Sequence, residues 1–178
     1  MSKEQRVVMI AGNGFDEVEV KVPMEYLPKN GIELDLATLY RTADVPIEGK
    51  KGYRIEPTVH VSDLKPENYD AVLLPGGHEG PDRVRGNETV IKFVQDMNAS
   101  GKIVAAICHG PWVLCTAEIL HGKKATCYPA MKADLVHAGA IYVSENVVAD
   151  GNLITADRPE TSEAWCNKIV EVLHKKQE

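Results

Sequence analysis

The sequence predicts an α/β sandwich: a mostly parallel sheet between two layers of helices, of the flavodoxin-like or class I glutamine amidotransferase-like kind. Three observations predict it. Apolar β-rich runs alternate with helix-length segments along the chain, the pattern of successive βαβ units. Four of those runs ("RVVMIAG", "IELDLATL", "YDAVLLPGG" and "KIVAAIC") are apolar at consecutive positions, as strands covered on both faces are. The 178 residues hold no linker, repeat or low-complexity tract, so residues 1–178 are expected to form a single domain.

The first strand leads into a helix over Asp16 to Lys29, and a turn at Asn30-Gly31 opens the second strand. "VPIEGKKGYRIEPTVHV" reads as a hairpin. The third apolar strand precedes a helix over Asn87 to Ser100, with Val90, Val94 and Met97 on one face. The fourth strand runs into a helix over Gly110 to Leu120. "NVVADGNLIT" is a hairpin around Asp150-Gly151, and a last helix covers Glu160 to Lys175, its apolar stripe formed by Trp165, Ile169, Val172 and Leu173.

Composition excludes several function classes. Hydrophobic residues are 44% and charged residues 26%, and the formal net charge of −6 leaves no basic footprint, so nucleic acid is not an expected partner. No apolar stretch approaches the ~20 residues of a membrane span, and the start "MSKEQRVVMIAG" has no signal-peptide pattern, which points to the cytoplasm. Cys108, Cys115, Cys127 and Cys166 lack disulfide or zinc spacing, and the last three are expected to be small buried hydrophobes.

Ligands of open parallel sheets bind outside the carboxyl ends of the strands. Three unusual loops fall there: "NGFDEVE", "HEGPD" and "CHGP". Ala106-Ile107-Cys108-His109-Gly110 has the strand–nucleophile–helix layout of a nucleophile elbow, with small residues two before and two after the thiol. A thiol at a helix start is expected to ionise below its usual value of about 8.5. His109 would be its base and needs a carboxylate to orient it, for which the neighbouring loop offers Glu79 and Asp82. "PGG" can aim backbone N–H groups at a developing oxyanion, and it lacks the Lys-Ser/Thr of a phosphate loop. Gly12-x-Gly14 with Asp35 imitates a dinucleotide fingerprint. There Glu17 replaces the third glycine, and Asp16, Glu17 and Glu19 would repel a pyrophosphate. A carboxyl against the Cys108 sulfur would instead be held protonated and donate to it, and Glu19 is the candidate. A hydrolase triad using Asp150 or Asp157 with His174 needs a larger chain.

Through "VVMIAGNGFDEVEV", "LLPGGHEGPDRVR", "AAICHGP", "TCYP" and "VVADGNLITADRP", the chain resembles the PfpI family of the ThiJ/PfpI superfamily. The resemblance implies that Cys108 is the nucleophile, His109 its partner and Glu19 the acid on the sulfur. It implies an oxyanion hole from the N–H groups of Gly77 and His109, and a pocket lined by Tyr128, with Asp16 or Glu17 sharing the role of Glu19. The carboxylate on the histidine would come from a neighbouring subunit at Asp82, where the founding archaeal-type proteases have glutamate, so a homodimer or hexamer is implied. An amidotransferase proper would need a distant H-x-E pair that is absent. The implied function is a cysteine-nucleophile hydrolase acting on carbonyl or hemithioacetal adducts: a deglycase or glyoxalase protecting against stress. The alternatives are an ATP-independent intracellular cysteine peptidase and a redox-sensing or chaperone protein using an oxidisable Cys108. Partners would be other copies of the chain and small carbonyl compounds or protein and peptide substrates. No metal and no organic cofactor are implied.

Overall fold

The computed structural model describes residues 4–40 and 44–176; Met1–Lys3, Arg41–Ala43 and Gln177–Glu178 lie outside the described residues. Strand β1 (Gln5–Ile10) leads through helix α1 (Glu17–Lys29) to β2 (Ile32–Thr38). Then come the short strands β3 (Ile47–Glu48), β4 (Arg54–Ile55) and β5 (Val59–His60), and β6 (Ala71–Leu74). Helices α2 (Glu79–Arg85) and α3 (Glu88–Ala99) precede β7 (Ile103–Ile107) and α4 (Pro111–Thr116). The remainder is β8 (Lys124–Ala125), α5 (Lys132–His137), β9 (Ile141–Tyr142), β10 (Val147–Asp150), β11 (Leu153–Ala156) and α6 (Ser162–Lys175).

Seven strands form the central sheet in the order β10-β11-β7-β6-β1-β2-β5, parallel except for β10, which runs antiparallel to β11. Successive side chains of a strand point to opposite faces. Val8, Ile10, Val72, Leu74, Val104 and Ala106 therefore share one core with α3 and α4, while Val7, Met9, Leu73, Ala105 and Ile107 share the other with α1 and α6. Both faces being covered is why these strands are apolar at consecutive positions. Val90, Val94 and Met97 of α3 and Trp165, Ile169 and Leu173 of α6 are buried; Val172 is only half-buried.

Three expectations need correction. The hairpin after β2 pairs only Ile47 with Ile55 and Glu48 with Arg54; Val59–His60 leaves it and joins the main sheet parallel to β2. The helix expected to reach Leu120 stops at Thr116, because Glu118 takes a left-handed conformation at φ 58°. There the Glu118 N–H donates to Cys115 O and the Ile119 N–H to Leu114 O, the pattern of a Schellman cap built without glycine. Cys127 and Cys166 are buried as expected, but Cys115 is partly exposed, beside the Asp134 carbonyl.

The sheet reverses its direction of winding between β1 and β6, which are adjacent although β2 and β5 intervene in sequence. Loops leaving adjacent strands on either side of such a point part and open a crevice. The loop after β7 joins them there. Gly110 makes that turn possible: a Cβ at this position would strike the carbonyl oxygen of Leu74 and lie 2.9 Å from that of Ile107. Gly110→Ala is expected to lower stability by about 1–3 kcal/mol, the usual cost of overpacking, read as a lower urea midpoint with an unchanged m-value.

Candidate active site

Cys108 is the first residue beyond β7, and its backbone is left-handed at φ 81°, a conformation that costs a non-glycine residue about 1–2 kcal/mol. Flanking hydrogen bonds hold it there. The Cys108 N–H donates to Ala156 O at 2.9 Å, the Gly110 N–H to Ile107 O at 2.7 Å, and the Tyr128 N–H to Cys108 O at 2.9 Å. The side chain is thereby presented at the carboxyl edge of the sheet, in a cleft of about 310 Å³ lined also by Asp16, Gly77, His109 and Tyr128. The residue is 5% exposed.

Glu19, in the first turn of α1, is fully buried at 0% exposure. Its Oε2 accepts from the Gly76 N–H at 2.5 Å, Oε1 is buried without a hydrogen-bond partner, and the carboxyl faces the Cys108 thiol. Gly76 permits this approach, since a Cβ there would collide with Glu19 Oε2 and stand 3.0 Å from both Cys108 Cβ and His109 N. Burial, reinforced by the charge of Asp16, raises the Glu19 carboxyl to about 8, so it carries its proton at neutral pH.

The thiol departs from expectation. Burial pushes Cys108 above its ordinary value, and negative charge on Glu19 pushes it further; the His109 N–H directed at the sulfur opposes both. Helix α4 begins only at Pro111 and is a six-residue helix, too short and too distant to outweigh desolvation. Cys108 and Glu19 are therefore one coupled pair of acids. Ionisation of Glu19 makes an acceptor for the thiol proton, and the protonated carboxyl donates to the sulfur once that becomes charged.

His109 reaches the sulfur of the residue before it: Nδ1 lies 3.4 Å from Cys108 Sγ. With Cys108 at positive φ, the next residue folds back over the thiol instead of diverging from it. The ring stacks on Tyr128 at 4.9 Å between centroids and packs against His78 and Trp112 at 4.4 and 5.1 Å. Burial, then the positive charges of His78 and Lys50, lower its pKa to about 4, so it is a neutral acceptor at pH 7. The N–H groups of Gly77 and His109 donate to no backbone carbonyl among the described residues. Gly77 has φ 93°, and a Cβ on it would run into the chain at Gly14–Asp16.

Other expected residues fall elsewhere. Asp82 lies on α2, exposed, where it accepts from Arg85 Nε and Nη2 at 3.0 and 2.9 Å; no contact joins it to His109 within the chain. Glu79 pairs with Arg83 at 3.6 Å. Asp16 caps α1 by accepting from the Val18 N–H and pairs with Lys50 Nζ at 2.5 Å on the cleft wall. Glu17 is turned to the β3–β4 turn, accepting from the Lys51 N–H at 2.5 Å, and takes no part in the cleft. Asp150 accepts from the Lys124 N–H and His174 stands in the last turn of α6, so neither serves the thiol.

Two cations, Lys50 and Arg158, also line the cleft, beyond the residues the sequence points to. Lys50 is delivered by the β3–β4 turn, which is sewn to the first loop through Gly14 N–H to Glu48 O and Lys50 N–H to Phe15 O. Arg158 had a legible signal, standing two residues past the apolar end of β11 on the same sheet edge. Among the described residues no group of three or more His, Cys, Asp or Glu side chains is placed to hold a metal ion.

The description of the DJ-1/PfpI family matches residues 5–172. The chain is 38% identical over 168 residues to "Deglycase PH1704" of Pyrococcus horikoshii, covering 94% of this chain and 99% of that one. It is 34% identical to "Deglycase PfpI" of Pyrococcus furiosus over the same shares. Among solved structures, Drosophila melanogaster DJ-1beta superposes with a TM-score of 0.90 at 30% identity, over 96% of this chain and 90% of that one.

Because the Glu19 carboxyl sits at about 8 in the fold against an ordinary 4.5, the stability its proton confers is complete below pH 4.5 and is lost as pH rises through 8. Glu19→Gln has no such loss. Its Tm is expected to gain on the wild type steadily from pH 5 to pH 8, corresponding to a difference on the order of a few kcal/mol, measured by calorimetry in matched buffers.

Proposed function

The chain belongs to the DJ-1/PfpI family, and from that premise we propose that it is a cysteine-dependent hydrolase removing small carbonyl adducts from amines and thiols. The single observation that carries this reading is the buried pair of Cys108 with Glu19, beside a neutral His109 in a cleft open at the sheet edge. Relatives that carry the word deglycase in their names support the adduct class. So does the cleft volume of about 310 Å³, at the lower end of the range for small-molecule sites.

In this reading the Cys108 thiol passes its proton to ionised Glu19 as Sγ attacks the carbonyl carbon. The C–S bond forms, the π electrons move to oxygen, and the oxyanion is held by the N–H groups of Gly77 and His109. As the oxyanion collapses, the C–N or C–S bond of the adduct breaks and the leaving amine or thiol takes the Glu19 proton. Water then adds to the acyl carbon left on Cys108, and the second collapse releases the carboxylic acid and the thiolate, which is reprotonated. His109 is a neutral acceptor for the proton of the hydrolytic water, and its stack on Tyr128 fixes the ring plane. Asp82, exposed on α2 and paired with Arg85, completes a triad only with His109 of a second copy, which makes a homo-oligomer part of the proposal.

The same nucleophile serves peptide hydrolysis or reversible oxidation, and a substrate panel separates the three. Methylglyoxal-modified amino acid, a fluorogenic peptide and peroxide are each presented to wild type and Cys108→Ser. Adduct turnover falling about a thousandfold or more in the variant is expected, with slow peptide cleavage by both proteins. Equal turnover by the two proteins overturns the reading. The wild-type kcat/KM is expected to rise about tenfold per pH unit up to about 8, the Glu19 value, and Glu19→Gln to lose that inflection. Light scattering of Asp82→Ala tests the shared triad: activity should drop while the assembly persists.

A further inference from the structure

Arg158 is held in an unusual way for an exposed arginine. Its Nε donates to Asp157 Oδ2 at 2.9 Å, and Asp157 is itself buried at 6% exposure, with Oδ1 accepting from Thr161 Oγ1 at 3.2 Å. The Thr161 hydroxyl is shared with Arg158 O, at 2.7 Å, closing a small knot at the end of β11. One edge of the guanidinium is therefore pinned. The two Nη nitrogens donate to no side chain or carbonyl among the described residues, and Arg158 lines the same cleft as Cys108, His109 and Tyr128.

A guanidinium fork fixed on one edge is preorganised for a carboxylate on the other, since little rotamer entropy remains to be lost on binding. The competing charges around the cleft do not fill this role. Lys50 is committed to Asp16 at 2.5 Å, Glu19 is protonated, and Glu160 brings one negative charge at the exposed rim. We propose that Arg158 is a specificity residue that selects electrophiles carrying a carboxylate beside the reacting carbon: 2-oxo acids and the adducts formed from them. The inference rests on Cys108 being the reacting group, and it deepens the hydrolase reading by naming the substrate class.

Two alkylating reagents differing in charge alone test it without any turnover assay. Iodoacetate places a carboxylate one bond from the reacting carbon, and iodoacetamide places a neutral amide there. Rates at the Cys108 peptide are measured by mass spectrometry and divided by the rates of the same reagents with glutathione. The normalised preference for iodoacetate is expected to exceed one in the wild type and to fall at least about fivefold in Arg158→Gln, the scale of a charge-assisted hydrogen bond in a part-solvated site. Iodoacetamide should react equally with both proteins. Glu160→Gln, which removes the rim's negative charge, should raise the preference. An unchanged preference in Arg158→Gln overturns the inference while leaving the nucleophile intact; failure of Cys108 to react with either reagent overturns the hydrolase reading itself.

Discussion

The left-handed backbone of Cys108 is the constraint on which the rest of the site depends. At φ 81° the chain leaves the end of β7 at a sharp angle, projects the thiol into the crevice and folds His109 back over it. Such a conformation survives only where its surroundings over-determine it. Here they are three backbone hydrogen bonds, one to β11, one from the segment before the Pro129 turn and one across the turn itself, together with glycines at 76 and 110 where any side chain would collide. Stability is given up at one residue, and the two buried faces of a seven-stranded sheet supply the margin that makes this tolerable.

The chemistry follows from burial more than from helix position. Desolvation disfavours charge on either partner, so Glu19 and Cys108 both hold protons more tightly than they would in water. Two acids placed together in this way sustain at most one negative charge between them. In the proposed chemistry that arrangement supplies a thiolate when an electrophile reaches the sulfur. A charged imidazolium would favour an anion at the pair, whereas the ring lowered to about 4, chiefly by burial, is neutral.

Much of the fold was legible because covering a parallel sheet on both faces leaves a continuous apolar record, as in "VVMI" and "IVAAI". The helices α3 and α6 were legible from apolar spacing. Elements without that record were missed. The end of α4 depends on one glutamate in a left-handed cap, and α2, α5 and the β8–β9 pair are too short to show a period. Within the site, Cys108, His109, Glu19, Gly77, Asp16 and Tyr128 were identified by the strand-end rule and by resemblance, and they converge. Lys50 left no trace in the sequence, because it arrives on a turn between two-residue strands that the first loop captures through backbone hydrogen bonds.

By itself the sequence determined the layer architecture, the edge of the sheet that carries the loops, and the identities of the thiol, imidazole and acid. These are properties of periodicity and of residue type. Tertiary structure alone decided the protonation states, the reach of His109 to the sulfur of its own neighbour, and the pinning of Arg158 by a buried aspartate. Each of those depends on solvent exclusion or on a backbone angle, quantities set by what packs around a residue in space and not by what stands next to it in the chain.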